Sequence, residues 1–268
     1  MRRMALLLAG ASLSALGEEL PLWELGVGVA AIRFPDYRGS ARQRNYVLPL
    51  PVFAYRGEIL QVDREKLRGL LYRTEDVEVE ISVNGSVPVR SGDNPAREGM
   101  PDLDPTLEIG PSLNLRLAHS DRHTLRLRLP VRAQLASDFR SIHDAGIVAN
   151  PNLNLDVRLA EGWRAGFVAG LLFGDRRNHA YYYGVAPQYA REGRPAYDAP
   201  GGYSGAQWIA ALSRRVGPWF AAAFVKQDFI RGAAFAASPL VERRTTVSAG
   251  IALTWTFAQS AQRVPVRE

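Results

Sequence analysis

The stretch "HTLRLRLPVRAQLA", residues 123–136, separates its apolar and polar side chains by position. Apolar residues occupy every odd position from Leu125 to Leu135. The even positions hold Arg126, Arg128 and Arg132, with Pro130 as the exception. In a β-strand, successive side chains point to opposite faces, so a period of two puts these sets on opposite sides. The stretch therefore predicts a strand with one apolar face and one strongly basic face.

The same alternation recurs along the rest of the chain, and helical periodicity is weak throughout. Predicted strands cover residues 22–32, 45–56, 77–90, 105–117, 123–136, 150–160, 163–174, 203–213, 219–229 and 243–257. Residues 58–74 could add a short hairpin, which would make twelve strands; ten strands is the alternative. Short turns alternate with long loops at residues 33–44, 91–104, 137–150, 175–202 and 231–240. This rhythm is typical of an up-and-down barrel.

A soluble β-sandwich would also alternate, but three features favour a membrane barrel. The alternating segments run about 10 to 14 residues, and about 9–11 residues cross a bilayer. Aromatic residues such as Trp23, Trp163 and Trp219 lie at segment ends, as in interface girdles. The polar rows contain charges of both signs, and a lipid-facing arginine costs about 2–4 kcal/mol at the bilayer midplane. We therefore predict an all-β fold, a transmembrane up-and-down antiparallel β-barrel of about twelve strands.

In such a barrel the charged rows line the lumen, where opposite charges can pair across neighbouring strands. The expected partners of the arginines in 123–136 are Glu108 on the preceding strand and Asp156 on the following one. Pro130, on the inner face, predicts a bend or bulge. The predicted lumen charge cluster comprises Glu78, Glu80, Glu108, Arg116, Arg126, Arg128, Arg132, Asp156, Arg158 and Arg164.

The two ends of the chain differ from its middle. Residues 1–17 combine two early arginines, an apolar stretch over 4–16 and small residues at Ala15 and Gly17, which predicts a secretory signal peptide. A buried N-terminal helix is the alternative. Residues 18–257 are assigned to the barrel. Residues 258–268 are polar and predict a loose periplasmic tail.

Composition and motifs exclude several function classes. The formal net charge is +6, but the arginines are spread along the chain, so nucleic acid is not an expected partner. The chain has no cysteine, and its four histidines show no metal-ligand spacing. The sequence contains no Gly-x-Ser-x-Gly motif and no phosphate-binding glycine loop. We expect no catalytic residues, metal or cofactor, although a hydrolase formed by residues adjacent only in space stays open as a third hypothesis.

The loop at residues 175–202 is rich in tyrosine and arginine. Tyrosine gives a large contact area at low entropic cost, which suits a binding surface. Packing of the loop over the barrel mouth explains the composition equally well. The candidate binding residues are Tyr181, Tyr182, Tyr183, Tyr189 and Tyr197.

The last predicted strand resembles the C-terminal assembly signal of outer-membrane barrels. Its pattern is formed by Gly250, Leu253, Trp255 and Phe257. The signal implies two partners, the outer-membrane lipid and the barrel assembly machinery.

Several motifs in order resemble the MltA-interacting protein (MipA)/OmpV family of Gram-negative outer-membrane proteins. They are "FPDYRGS" (34–40), "YVLPLPVFAYRGE" (46–58), "LEIGPSL" (107–113), "YYYGVAP" (181–187), "GRPAYDAPGGY" (193–203) and "SPLVERR" (238–244). The resemblance implies an outer-membrane barrel without known enzymatic activity. It also implies a scaffold role, with a murein transglycosylase and a murein synthase as partners. A porin-like channel with an arginine-rich lumen and an adhesin are the alternatives.

Overall fold

The computed structural model describes residues 19–56, 60–62 and 67–265. These residues form fifteen strands and one short α-helix. In chain order they are β1 (Glu19–Pro21), β2 (Trp23–Pro35), β3 (Gln43–Arg56), β4 (Leu60–Val62), β5 (Leu67–Arg73), β6 (Val77–Ser86), β7 (Thr106–His119), β8 (His123–Ser137), β9 (Ile142–Ala149), β10 (Asn152–Arg158), β11 (Trp163–Gly174), α1 (Arg176–Tyr183), β12 (Gly202–Val216), β13 (Trp219–Phe229), β14 (Thr245–Gln259) and β15 (Arg263–Pro265).

Strands β2 to β14 form one antiparallel sheet that closes on itself, because β14 pairs with β2. Strand β8 pairs with both β9 and β10. The register continues from one to the other without a shift, because Val131 is opposite Ala149 and Arg128 is opposite Asn152. Strands β9 and β10 therefore act as a single barrel strand that is interrupted at residues 150–151. The barrel has twelve strands on this count, which confirms the predicted fold. Strands β4 and β5 form the additional hairpin that distinguishes the twelve-strand prediction from the ten-strand alternative.

The two faces of the barrel wall differ as the alternation predicts. Large apolar side chains on the outer face are exposed, as for Leu107, Val131 and Ile251. The inner face buries polar side chains such as Ser112 and Gln134. A soluble protein rarely exposes a continuous apolar surface of this kind, whereas a hydrocarbon environment requires one. None of the described helices is long and apolar enough to cross a membrane.

The predicted long loop at residues 137–150 is wrong. Only residues 138–141 are a loop, and 142–149 form β9. A β-bulge in β9 places Ala145 and Gly146 opposite the single residue Gln134 of β8, and Gly146 adopts a φ of +94°. A Cβ at Gly146 would lie 2.2 Å from Asp175 Oδ1, so the position requires glycine. The bulge interrupts the period of two, which hides this half of the strand from sequence reasoning.

Other predicted boundaries also differ. The strand predicted at 150–160 begins at residue 152, and the strand predicted at 77–90 ends at Ser86. Helix α1 lies inside the loop predicted at 175–202; Asp175 caps it by accepting a hydrogen bond from the Asn178 N–H at 2.8 Å.

The ends of the described chain pair with each other. Glu19 of β1 lies opposite Pro265 of β15 in a two-stranded ribbon outside the barrel sheet. The expectation that 258–268 are loose is therefore wrong for β15, and β14 continues to Gln259. Backbone pairing between the two ends supplies the order that polar composition alone does not indicate. The predicted signal peptide, 1–17, and residues 266–268 lie outside the described residues.

Candidate functional site

Three ion pairs connect strands along one wall of the lumen. Arg132 Nη1 lies 2.9 Å from Glu108 Oε2, and Arg126 Nη1 lies 3.2 Å from Asp156 Oδ2. These are the two acidic partners expected from the alternation. Arg128 Nη2 lies 2.6 Å from Glu80 Oε1, two strands away. We call these six residues the lumen ladder.

Neutral side chains complete the lumen ladder. Arg132 Nε donates to Ser82 Oγ at 3.1 Å, and Arg128 Nε donates to Asn114 Oδ1 at 3.2 Å. Glu80 is only 1% exposed. A buried carboxylate is stable only when it is paired, so Arg128 and Glu80 hold each other in place.

The remaining predicted lumen charges lie towards the short-turn end of the barrel. Arg116 Nε is 3.3 Å from Asp76 Oδ1, and Arg158 Nη1 donates to the Asp121 carbonyl at 3.4 Å. Arg164 lies opposite Arg158 across the β10–β11 pair. Glu78 accepts a hydrogen bond from Arg73 Nε at 2.8 Å. The structure thus places the predicted cluster on the neighbouring strands β6, β7, β8, β10 and β11.

The opposite wall of the lumen carries small and apolar side chains in the middle of its strands, whereas buried polar side chains lie nearer the strand ends. Strand β2 turns Ala30 and Ile32 inward. On β13, Phe224 packs against Gly250 of β14, where a Cβ would lie 2.6 Å from the Phe224 ring. Sequence reasoning did not separate these walls, because the inner face of these strands mixes small and neutral polar residues, as with Gly250 and Thr254 on β14. Of the predicted assembly signal, Gly250 faces inward and Leu253, Trp255 and Phe257 are exposed on the outer face.

Four loops pack into one apolar cluster at the long-loop end. We call this cluster the mouth cap. Its buried members are Tyr37, Val89, Leu103, Tyr183, Val185, Ala199, Ile230, Ala233, Phe235 and Leu240. They come from loops 36–42, 87–105, 175–201 and 230–244, which are distant in sequence. Their burial depends on all four loops being in place together.

Aromatic stacking forms the centre of the mouth cap. The rings of Tyr183 and Phe235 stack with centroids 3.6 Å apart, and His179 meets Phe235 edge-on at 4.7 Å. Tyr37 Oη donates to the Leu240 carbonyl at 2.9 Å, and Tyr183 Oη donates to the Arg38 carbonyl at 2.9 Å. Burial raises the pKa of both Tyr37 and Tyr183, so both hydroxyls stay protonated and can donate.

The mouth cap is fixed to the barrel wall at two separate strands. On the side of β8, Gln134 Nε2 donates to Tyr182 Oη at 2.5 Å. On the side of β13, Arg38 Nε lies 2.9 Å from Asp228 Oδ1, and both Gln134 and Asp228 are buried. Strands β8 and β13 are four places apart in the ring of twelve, and the four loops of the cap start from strands spread around the whole ring. The cap therefore spans the mouth.

The tyrosines of loop 175–202 pack inward. Tyr183 is 4% exposed, and the other four pack against the mouth cap while partly buried. This arrangement favours the packing interpretation over a free binding surface. The four are Tyr181, Tyr182, Tyr189 and Tyr197.

Sequence reasoning missed the contact between His179 and Ser204. His179 Nε2 lies 2.6 Å from Ser204 Oγ, and Nδ1 lies 2.5 Å from the Pro200 carbonyl. The carbonyl can only accept, so Nδ1 carries the proton and a neutral ring accepts from Ser204. Burial lowers the pKa of His179, which agrees with a neutral ring. Both side chains are less than a tenth exposed, and no motif in the sequence links positions 25 residues apart.

A closed barrel with an apolar outer face and paired charges inside defines a transmembrane β-barrel protein. The sequence profile of the family described as MltA-interacting protein MipA matches residues 27–257. This chain belongs to that family and is an outer-membrane β-barrel protein. A search of curated proteins gave no match.

The barrel is similar to solved outer-membrane proteins at low identity. An outer-membrane channel from Pseudomonas putida F1 is 9% identical, with 92% of this chain and 100% of that chain covered and a TM-score of 0.46. A bacterial polysaccharide outer membrane secretin is 9% identical, with coverages of 88% and 99% and a TM-score of 0.44. Outer membrane phospholipase A from Escherichia coli is 10% identical, with coverages of 87% and 92% and a TM-score of 0.33.

Proposed function

We propose that this protein is a non-enzymatic scaffold whose barrel is closed to solutes and whose periplasmic turns bind murein-processing partners. The observation that carries the proposal is the mouth cap. Long loops of outer-membrane barrels are extracellular, so the cap would close the barrel on the outside. A protein that must pass solutes keeps an open path, whereas a scaffold needs only a rigid frame.

The contacts of the mouth cap support a permanent closure. It has an aromatic centre, and hydrogen bonds tie it to β8 and β13. A loop that gates a channel is drawn from the low-stability end of a structure, with few buried apolar contacts. The centre of this cap, Tyr183 and Phe235, has the opposite character.

The histidine and serine of the mouth cap do not favour catalysis. A nucleophile needs access to substrate and a base that can accept its proton. Ser204 is 6% exposed, and His179 is held by a backbone carbonyl under Phe235. Their contact suits a structural role inside the cap.

The short turns at the other end are the surfaces available to periplasmic partners. The family description names a protein that interacts with MltA, and the residues matched include these turns. Asp121 and Glu161 are exposed in two of them. We propose that a murein transglycosylase, and with it a murein synthase, binds at this end.

In-cell photo-crosslinking tests the scaffold proposal. A crosslinker at Asp121 or Glu161 is expected to capture a murein transglycosylase, identified by mass spectrometry. The matched control is a crosslinker at Phe139, which is 90% exposed in loop 138–141 at the opposite end. Capture of the same enzyme from Phe139, or no capture from either turn, would refute the proposal.

A porin-like channel is the second candidate, because arginines outnumber acidic residues in the predicted lumen charge cluster and would favour anions. Planar-bilayer recordings separate the two. The scaffold proposal expects no conductance steps from the wild-type protein. Regular anion-selective steps would replace it with the channel.

A further inference from the structure

Five arginines lie close together on the outer rim where β2, β13 and β14 reach the long-loop end. We call them the rim arginines. Two backbone contacts hold this region together. Arg243 N donates to the Gly39 carbonyl at 2.9 Å, which joins loop 230–244 to loop 36–42, and Ile230 N donates to the Arg244 carbonyl at 2.9 Å, which pairs the two ends of loop 230–244. The rim arginines are Arg33, Arg42, Arg231, Arg243 and Arg244, and all five are exposed.

The rim arginines carry an unbalanced positive charge. For Arg42, Arg231, Arg243 and Arg244, no side-chain hydrogen bond or ion pair to another described residue is present. Arg33 Nε donates to Gln43 Oε1 at 2.7 Å, which is a neutral partner. Within loops 36–42 and 230–244, Glu242 is the only exposed acidic residue, and it accepts from the backbone N–H of Ala41 at 2.9 Å.

An apolar groove begins beside Arg33 on the outer face of the barrel. Its volume is about 640 Å³. Two rows of outward-facing side chains flank it, and the backbone of the inward-facing residues between the rows forms its floor. The rows contain four alanines, Ala31, Ala210, Ala223 and Ala249, together with the larger Val47 and Ile251.

The groove runs from the rim towards the membrane centre. The groove crosses the tilted strands in one register: Arg33 is opposite Ala249, Ala249 is opposite Val225 and Val225 is opposite Ala210. Arg33 lies two residues from the long-loop end of its strand and Ala210 lies eight residues from that end of β12, so the groove descends from the rim. Three strand spacings of about 4.8 Å at a tilt of about 40° place its far end about 9 Å deeper than its near end. A long apolar chain could therefore follow the groove inward from a polar group at the rim.

We infer that the rim arginines and this groove form one binding site for a phosphorylated glycolipid of the outer leaflet. The phosphates contact the rim arginines, and one acyl chain lies in the groove. Arginine suits this role because its planar guanidinium binds phosphate through two parallel hydrogen bonds. Clustered basic residues at a membrane surface bind anionic headgroups in the same way. Arg33 joins the two parts of the site, because it belongs to the rim and also lines the groove.

Native mass spectrometry of the whole protein in detergent tests this inference, with bisphosphorylated lipid A as the probe. The wild type is expected to retain one lipid A. The double variant Arg33→Gln/Arg243→Gln is expected to bind it about 30-fold more weakly, because each arginine near an anionic headgroup contributes about a factor of five to six. The matched control is Arg90→Gln/Arg140→Gln, which removes two exposed arginines elsewhere on the long-loop end and is expected to change nothing.

Two further experiments test the groove and the rim arginines separately. Ala31→Phe/Ala249→Phe fills the groove from its outer side and is expected to weaken lipid A binding while the rim arginines stay intact. Inorganic phosphate at equal concentration is expected not to compete. Equal binding by the Arg33→Gln/Arg243→Gln variant, equal binding of dephosphorylated lipid A, or full competition by phosphate would overturn the site. A heat-dependent shift in gel mobility verifies that each variant is folded.

Discussion

The mouth cap and the lumen ladder are built in opposite ways. The cap gathers aromatic and aliphatic side chains from four loops distant in sequence, and its centre excludes water. The ladder joins charged side chains on strands that are adjacent or one strand apart, and several of its members remain partly exposed, with Asp156 at 56%. Closure of the mouth therefore depends on apolar burial over long sequence separations. The charge pattern of the wall depends on local register.

The largest effect is expected from a substitution at the centre of the mouth cap. Phe235→Ala removes the ring that stacks on Tyr183, and a buried Phe→Ala change costs about 4 kcal/mol. If the cost is local, amide hydrogen exchange in the cap should accelerate about a thousandfold while the barrel strands stay protected. Phe139→Ala, at a 90% exposed position, is the control. Unchanged exchange in the Phe235→Ala cap would show that the cap is not one cooperative unit.

The next effect concerns the most buried pair of the lumen ladder. Arg128→Leu leaves the Glu80 carboxylate buried without its cation, and breaking such a pair costs about 3 kcal/mol. Urea unfolding in detergent should show this loss, and adding Glu80→Leu should recover most of it. Arg126→Leu is the comparison, because its partner Asp156 is 56% exposed and the loss should be much smaller. Equal losses for Arg126 and Arg128 would contradict the role of burial.

The mouth cap should also respond to pH through His179. Burial lowers the pKa of this histidine from its ordinary 6.5, so the folded cap favours the neutral ring. The stabilisation is fully present above pH 6.5 and is lost as the pH falls through the folded-state pKa. Protection of α1 amides, corrected for intrinsic exchange, should therefore fall on acidification. His179→Gln should flatten this dependence. If amide protection in the wild-type protein did not change with pH below 6.5, the proposed role of His179 would be refuted.

The smallest effect is expected at an exposed ion pair beside the mouth cap. Arg176 and Asp198 contact each other, but their side chains are 71% and 69% exposed. Exposed pairs contribute about 0.2–1 kcal/mol, so Arg176→Ala should change cap exchange by less than about fivefold. A change as large as that of Phe235→Ala would mean that charge, not apolar burial, closes the mouth.

The period of two predicted the features that depend on neighbouring strands. It separated inner from outer faces and predicted that Arg132 meets Glu108 and Arg126 meets Asp156. In both pairs the partners are diagonal neighbours on adjacent strands, within reach of a long arginine side chain. The period of two did not predict Arg128 beside Glu80, since that contact crosses an intervening strand.

Sequence reasoning was weaker where contacts are distant or the period is broken. The bulge near Gly146 concealed β9, and no local pattern indicated that Phe235 meets Tyr183 from 52 residues away. The tyrosine density of loop 175–202 marked the region but not its partners. The pairing of β1 with β15 was also invisible, because three-residue strands carry almost no periodicity.

The ribbon formed by β1 and β15 gives the chain a nearly circular connectivity. Glu19 sits opposite Pro265, so a short covalent linker could join these two positions without moving a barrel strand. New chain termini could then be placed in the exposed loop 138–141, in which Phe139 adopts a positive φ of 68°. Every pairing around the barrel would persist in such a permuted chain. The order in which the strands are synthesised could therefore change without changing the order in which they pair in the barrel.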